Sequence, residues 1–414
     1  MKGDRHAHKV KAPGAGGAEP APGRGIRVAV VGGSIGGLTA ALLLRDLGCE
    51  VQVFERARAA LQSRGAGIVV HPMTTRYLVE RGLAEVDRVT VGAACLRYLG
   101  PVGEVIFEEA EPYRFTGWNT IYRTLRRGLP ASRYHLGRSM TGFGDGAGGT
   151  RVAFAGGDER ECDLLVCADG ISSTARSQVL PEVRPAYSGY VGWRGTVAEA
   201  RLGRATRSTL RDAIVYHVMA ASHVLVYPIP AARGSVSPGR RLMNFVWYRN
   251  VAPDAVGALM TDRQGVRREL SVPPGAVKEE FLSELRRAAQ GLPDALAEVV
   301  LRSDDPFIQP VMDVEVPRVV FGRACLLGDA AFTARPHAAA GTAKAAADAW
   351  ALSECIAAAR GDVDRALAAW EPGRLELGRR LVARSREMGE RSQFLGTWRP
   401  QDRDLRFGLW GPGD

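Results

Sequence analysis

The segment Gly32-Gly33-Ser34-Ile35-Gly36-Gly37 follows a short β-branched run, Ile26 to Val31. Apolar residues then recur at helical spacing from Leu38 to Leu47 until Gly48 stops them, and Val51 to Glu55 reads as a second strand. A strand, a glycine turn, a helix and an acidic strand end are together the parts of a dinucleotide site. Gly32 permits the tight turn, Gly37 lets helix and strand pack closely, and the free amides at the helix start can receive a pyrophosphate. Ser34 stands where such a fingerprint usually has its second glycine. Its small hydroxyl still admits the backbone to a phosphate and can donate to it. Glu55, about 20 residues beyond the turn, is placed to accept hydrogen bonds from ribose hydroxyls.

Other elements must hold this unit and whatever lies opposite it. Between Tyr187 and Asn250, β-branched and aromatic residues alternate in Ile214 to His217, His223 to Tyr227 and Leu242 to Arg249, which predicts an antiparallel sheet. A helix is expected around Lys278 to Gln290. Val319 to Leu327 reads as a buried strand ending at Gly328-Asp329, and long helices follow from Gly341 to about Arg360 and from Val363 to Phe394.

The chain has 414 residues, more than one ordinary core, so two domains are expected; 46% hydrophobic content says that it folds. No apolar run of about 20 residues is present, which excludes a membrane-spanning helix. Residues 1–25 are rich in Gly, Ala, Pro and basic side chains and read as a disordered tail without a secretory core. The six cysteines show no metal-ligand spacing and fit reduced thiols of a cytoplasmic protein. The net charge of +10 is carried by scattered arginines rather than an aromatic-interleaved stripe, so no nucleic-acid partner is expected. Basic grooves instead suit a pyrophosphate cofactor and a phosphorylated reductant.

Two later segments join the glycine turn in a fixed order: Asp169-Gly170-Ile171-Ser172-Ser173-Thr174-Ala175-Arg176 and Gly328-Asp329-Ala330-Ala331. Together the three resemble the single-component FAD-dependent aromatic hydroxylases of the para-hydroxybenzoate hydroxylase type, over most of residues 26–395. The resemblance implies an α/β fold: a Rossmann-like FAD-binding domain with an inserted antiparallel-sheet substrate domain and C-terminal helices. The FAD-binding domain would comprise 26–84, 118–184 and 306–395, the substrate domain 85–117 and 185–305, and 396–414 would be a C-terminal tail.

Roles carry over position by position. Asp169 and Arg176 would approach the flavin pyrophosphate and the groove of the nicotinamide donor. Asp329 would accept a hydrogen bond from the ribityl chain. Gly341, Thr342 and Ala343 would present helix N-terminal amides to the pyrimidine end of the flavin, where the dipole favours negative charge on the reduced ring. Gly67, within Gly65-Ala66-Gly67-Ile68, would pass close to the ring, and Pro336 would pack near its reactive face. Arg123 resembles an arginine that reaches the phosphate and ribityl region, although the spacing after it is one residue short. Phe332, Arg335 and His337 replace the commoner His, Pro and Thr, and Ala343 replaces a frequent Asn.

Within the family the resemblance is strongest to the 2,6-dihydroxypyridine 3-hydroxylase group, on Val30 to Ile35, Tyr187 to Gly195, Tyr227-Pro228-Ile229-Pro230 and Arg335 to Gly341. Such enzymes reduce FAD with NADH or NADPH, form a flavin hydroperoxide with O2, and hydroxylate an electron-rich aromatic. The implied substrate is a small hydroxylated pyridine or related heterocycle. A base is then expected. His223 and Tyr227 alternate onto one face of their strand and match a histidine and tyrosine used by related hydroxylases; His337, beside Pro336, is the competing base, with His71 and His217 behind it. Epoxidation or oxidative rearrangement of a larger metabolite, and a non-catalytic flavoprotein sensor, remain the alternatives. NADH against NADPH and a homodimer against a monomer stay open.

Overall fold

The computed structural model describes residues 21–59, 61, 67–232 and 234–414. The first sheet has six strands, in the order Val320–Phe321, Ala324–Leu326, Leu164–Cys167, Arg27–Val31, Glu50–Glu55, Tyr134–Leu136. All neighbours are parallel except the first pair. A parallel sheet is covered on both faces, so its strands must be apolar throughout; Leu164 to Cys167 are accordingly all buried. The helix Ile35–Asp46 is apolar nearly all round because it lies between this sheet and the helix Gly341–Ala358.

The second sheet has eight strands and carries the other half of the molecule. Side chains in Ser222–Ile229 alternate as expected: Leu225 and Tyr227 enter the core with Tyr216, Tyr248 and Leu381, whereas Val224 and Val226 enter the opposite core with Phe245 and Trp247. The sheet is not purely antiparallel, because Ala213–Met219 runs parallel to Val91–Leu99. A three-stranded sheet, Met140–Gly146, Gly149–Phe154 and Glu159–Cys162, completes the set.

The expected segment boundaries differ at several places. Gly67–Val69 pairs with Phe115–Gly117, and Phe307–Asp313 pairs with Ala186–Ala198, so both belong to the second sheet rather than to the FAD-binding half. The stretch Val319 to Leu327 is a tight hairpin of two short strands, since Gly322 (φ +57°) turns the chain back. Residues 1–20, like Gly65 and Ala66, lie outside the described residues. Residues 21–25, expected in a tail, pack on the fold: Gly23 N donates to Leu47 O at 2.8 Å. Nor do residues 396–414 hang free. Trp398 is 3% exposed and its indole N–H donates to Tyr98 OH at 3.1 Å, while Leu405, Phe407 and Leu409 are buried. Their apolar residues are sparse and broken by Pro, Gly and Arg, so no periodicity announced them. No helix among the described residues is long and apolar enough to cross a membrane.

Candidate active site

Two helix N-termini converge at the edge of the parallel sheet. Ser34 is the N-cap of Ile35–Asp46, and its side chain makes no capping hydrogen bond. A side chain at Gly37 would place its Cβ 1.9 Å from Gly32 O, and one at Gly32 (φ +103°) 2.1 Å from Ala168 O, so both positions require glycine. Glu55 Oε2 accepts from Gly33 N at 2.9 Å, which fixes the carboxylate at the rim of a cavity of about 220 Å³ that Gly32, Ser34, Trp118, Arg138 and Asp169 also line.

A second chamber of about 120 Å³ shares Ser34, Trp118 and Gly170 with the first and is closed by Asp329, Gly341 and Thr342. Gly341 and Thr342 open the second helix, so positive helix ends face the chamber from both sides. Ala343 is fully buried and does not line it. Asp329 also borders a third chamber of about 280 Å³, with Arg194, Tyr248, Gln309 and Pro336. The Asp329 carboxyl is open to both chambers yet enclosed by protein beyond them. That enclosure raises its pKa above the usual carboxylate range, against the Lys344 cation and together with the Asp348 anion.

A buried ion pair supports this junction. Lys344 Nζ donates to Gly328 O at 2.9 Å and lies 2.8 Å from Asp348 Oδ2, which in turn accepts from Gly328 N at 3.1 Å. Gly328 is thus held by both its backbone groups, and Asp329 is aimed as a consequence.

The middle motif is divided between roles. Asp169 Oδ2 accepts from Thr174 N at 2.8 Å, and its Oδ1 is buried without a partner at the edge of the first chamber. Burial raises its pKa, against the Ser173 hydroxyl and backbone donors. Arg176 also has a structural task. It is 1% exposed, donates to Ala330 O at 3.0 Å and to Ile171 O, and ties the middle motif to the late one. Its edge nonetheless borders a groove of about 680 Å³ with Arg184, Arg267 and Arg268.

Arg123 lines none of these spaces. Its helix, Trp118–Arg127, turns Ile121, Tyr122 and Leu125 inward and leaves the guanidinium beside Ala232 O at 3.4 Å. Gly67 packs against the second sheet: Gly67 N donates to Asn244 Oδ1 at 3.0 Å, and a Cβ there would meet the Tyr227 ring at 2.7 Å. Tyr227 OH donates to Gly67 O at 2.9 Å, so this hydroxyl anchors the turn.

Neither expected base lines the third chamber. His223 is enclosed by Trp398, Tyr248 and His337 at ring-centroid distances of 5.0, 4.9 and 5.4 Å, with Nδ1 against Ser392 Oγ. Burial pushes its pKa down to about 3. His337 pairs Nε2 with Tyr190 OH at 2.8 Å, and burial, then His223 and Arg335, hold its pKa well below the usual imidazole value. Pro336 does face the chamber. His71 bonds Ala339 O at 3.2 Å and His217 bonds Leu99 O at 2.9 Å, both as packing partners.

The buried imidazoles set a pH dependence. Between pH 6.5 and about 3 the unfolded chain binds a proton at position 223 that the native chain does not, so stability falls as pH drops through that window. The expected slope is about 1.4 kcal/mol per pH unit for this site. Denaturant unfolding at pH 7, 6 and 5 measures it, and His223→Asn should flatten the slope; a wild-type slope in that variant would assign the effect elsewhere.

Three features escaped the sequence reading. Lys344 and Asp348 were detectable as an i,i+4 opposite-charge pair in an alanine-rich helix. Arg194 stood out only as the one charge in the strand Ala186–Ala198, and Tyr248 and Gln309 carried no signal.

Comparison with known proteins agrees with this geometry. Residues 27–90 match a pyridine nucleotide-disulphide oxidoreductase family model, and residues 187–313 match an FAD-binding domain-like model. The chain is 36% identical over 386 residues to 2,6-dihydroxypyridine 3-monooxygenase of Paenarthrobacter nicotinovorans, covering 92% of this chain and 96% of that one. It is 29% identical to a salicylate hydroxylase of Pseudomonas putida, covering 88% and 86%. Among solved structures, 2,6-dihydroxypyridine-3-hydroxylase from Arthrobacter nicotinovorans superposes with a TM-score of 0.87 at 35% identity, covering 93% and 97%. Klebsiella pneumoniae HpxO complexed with FAD and uric acid shares the fold, with a TM-score of 0.73 at 23% identity, covering 92% and 90%. The first two chambers, with an uncommitted Ser34 hydroxyl, an unpartnered Asp169 Oδ1 and two helix N-termini, fit an FAD. The chain belongs to the single-component FAD-dependent aromatic hydroxylases of the para-hydroxybenzoate hydroxylase type.

Proposed function

We propose that this FAD-dependent, NAD(P)H-consuming monooxygenase hydroxylates a small hydroxylated pyridine or related heterocycle. The observation that carries the reading is the third chamber: about 280 Å³, just below the ~300–1,000 Å³ typical of drug-sized ligand sites, and joined through Asp329 to the cofactor chambers. A single ring suits this space better than a polycyclic metabolite. The 2,6-dihydroxypyridine relative supports the same class.

Bound FAD, once reduced by NAD(P)H, supplies the activated oxygen. The chain's own residues do the rest. Glu55 would accept from the adenosine ribose, Ser34 and the two helix starts would hold the pyrophosphate, and Asp329 would orient the ribityl chain. Gly67 lets the ring approach the second sheet, while Pro336 and the aromatic wall behind it exclude water. His223 and His337 act as neutral packing within that wall. The groove beside Arg176, with Arg184 and Arg267, suits the phosphates of the reductant. Six free cysteines support a reducing, cytoplasmic setting.

Steady-state kinetics over dihydroxypyridines, salicylate and bulkier phenols tests the substrate class. A dihydroxypyridine should exceed the others in kcat/KM by at least about tenfold, the scale of one to a few kcal/mol of pocket discrimination. A preference for salicylate or a polycyclic phenol would overturn the assignment.

A further inference from the structure

Arg194 makes no ion pair with any described residue. It lies on the strand Ala186–Ala198, and its Nη1 donates to Gln309 Oε1 at 3.0 Å across to the strand Phe307–Asp313. Its Nε is buried with no hydrogen-bond partner, and among the described residues no carboxylate comes within ion-pair distance. Two buried arginines of this molecule are matched by carboxylates, whereas Arg176 is held by the Ala330 and Ile171 carbonyls and Arg194 by one amide oxygen. Arg335 sits 3.0 Å from Asp313, and Arg241 sits 2.8 Å from Glu199. Arg194 instead lines the third chamber, whose wall is otherwise largely apolar: Ile171, Val246, Val311, Met312 and Ala334. Asp329 is the other charged group of the wall, and Tyr227 and Tyr248 lie near enough for the guanidinium to oppose the burial that raises their hydroxyls.

A half-buried cation without an ion-pair partner is incompletely satisfied, and an anion entering the chamber relieves that cost. We propose that Arg194 is the specificity-determining residue of the chamber and binds the substrate as an oxyanion, through a deprotonated ring hydroxyl. The hydroxyl proton leaves to solvent water as the ligand binds, because an adjacent cation favours the ionised form. The ring so bound is electron-rich at the carbon to be hydroxylated. This explains how substrate activation proceeds although neither His223 nor His337 lines the chamber. The inference rests on the aromatic-hydroxylase reading but extends to any acidic aromatic that fits.

The test uses flavin-loaded enzyme without reductant. Binding of 2,6-dihydroxypyridine, salicylate and neutral 2-methoxypyridine is titrated, and the ionisation of bound 2,6-dihydroxypyridine is followed by its absorbance against pH. Wild type should bind the acidic ligands more tightly than the neutral one and lower the bound hydroxyl pKa by about one unit or more. Arg194→Met should weaken the acidic ligands at least tenfold and abolish the shift, Arg194→Lys should restore part of both, and all should retain FAD. Wild-type affinity and ionisation in Arg194→Met overturn the proposal, as does equal or tighter wild-type binding of 2-methoxypyridine. If Arg194→Met loses FAD, Arg194→Gln takes its place with the same two outcomes. Arg194-dependent binding of salicylate without binding of 2,6-dihydroxypyridine would uphold Arg194 and reject the pyridine assignment alone.

Discussion

Gly37→Ala is expected to yield protein that folds poorly and retains little or no FAD. The added Cβ would lie 1.9 Å from Gly32 O and 3.1 Å from Gly32 C, a clash with backbone that no rotamer relieves. The helix Ile35–Asp46 would have to move away from its strand, and that shift displaces the amides and the Ser34 hydroxyl lining the phosphate chamber. Overpacking of this kind costs about 1–3 kcal/mol or more in stability. Flavin affinity should fall by at least about tenfold, the equivalent of 1.4 kcal/mol. The ratio of flavin to protein absorbance in purified variant, with FAD titration of the flavin-free form, measures it. Wild-type stoichiometry and affinity would show that the glycine turn is not where the pyrophosphate sits.

Lys344→Met should be more damaging to stability than its position behind the site suggests. Lys344 and Asp348 are both 2% exposed at their side chains, so removing the cation leaves a buried carboxylate facing Gly328. Breaking one side of such a pair costs about 3–5 kcal/mol, whereas replacing both sides by apolar groups is far milder. Urea unfolding should therefore show a large loss in Lys344→Met and substantial recovery in the double variant Lys344→Met/Asp348→Leu. The double variant should still bind FAD more weakly than wild type, because Gly328 has lost both backbone partners and Asp329 its orientation. A loss below about 1 kcal/mol in the single variant would mean that Arg374, 3.6 Å from Asp348 Oδ1, already neutralises the site.

The cofactor half was legible because its constraints are local. Gly32, Gly37, Ser34 and Glu55 belong to one continuous strand–turn–helix–strand unit, so their chemistry follows from spacing. Asp329 follows from its motif, since it ends a buried strand and precedes a tight turn. The substrate side depends on pairings that spacing does not encode. Alternation correctly placed His223, Leu225 and Tyr227 on one face, but which element covers that face is decided by Trp398 and Ser392, about 170 residues further along. Covered in this way, His223 is a neutral packing group. Arg194 and Gln309 meet only because Ala186–Ala198 and Phe307–Asp313 lie side by side, a pairing across more than 100 residues. Arg123 lies outside the three chambers for the converse reason: its neighbours Ile121, Tyr122 and Leu125 determine which way the helix faces.

Substrate-stimulated NAD(P)H consumption, with mass detection of the product, tests the central claim most directly. The purified yellow enzyme should oxidise NAD(P)H slowly alone and at least about tenfold faster with a dihydroxypyridine, giving a product heavier by one oxygen atom that derives from O2. Unstimulated oxidation across the whole set of phenols, pyridines and indoles, or stimulation with no oxygen entering any product, would contradict the account.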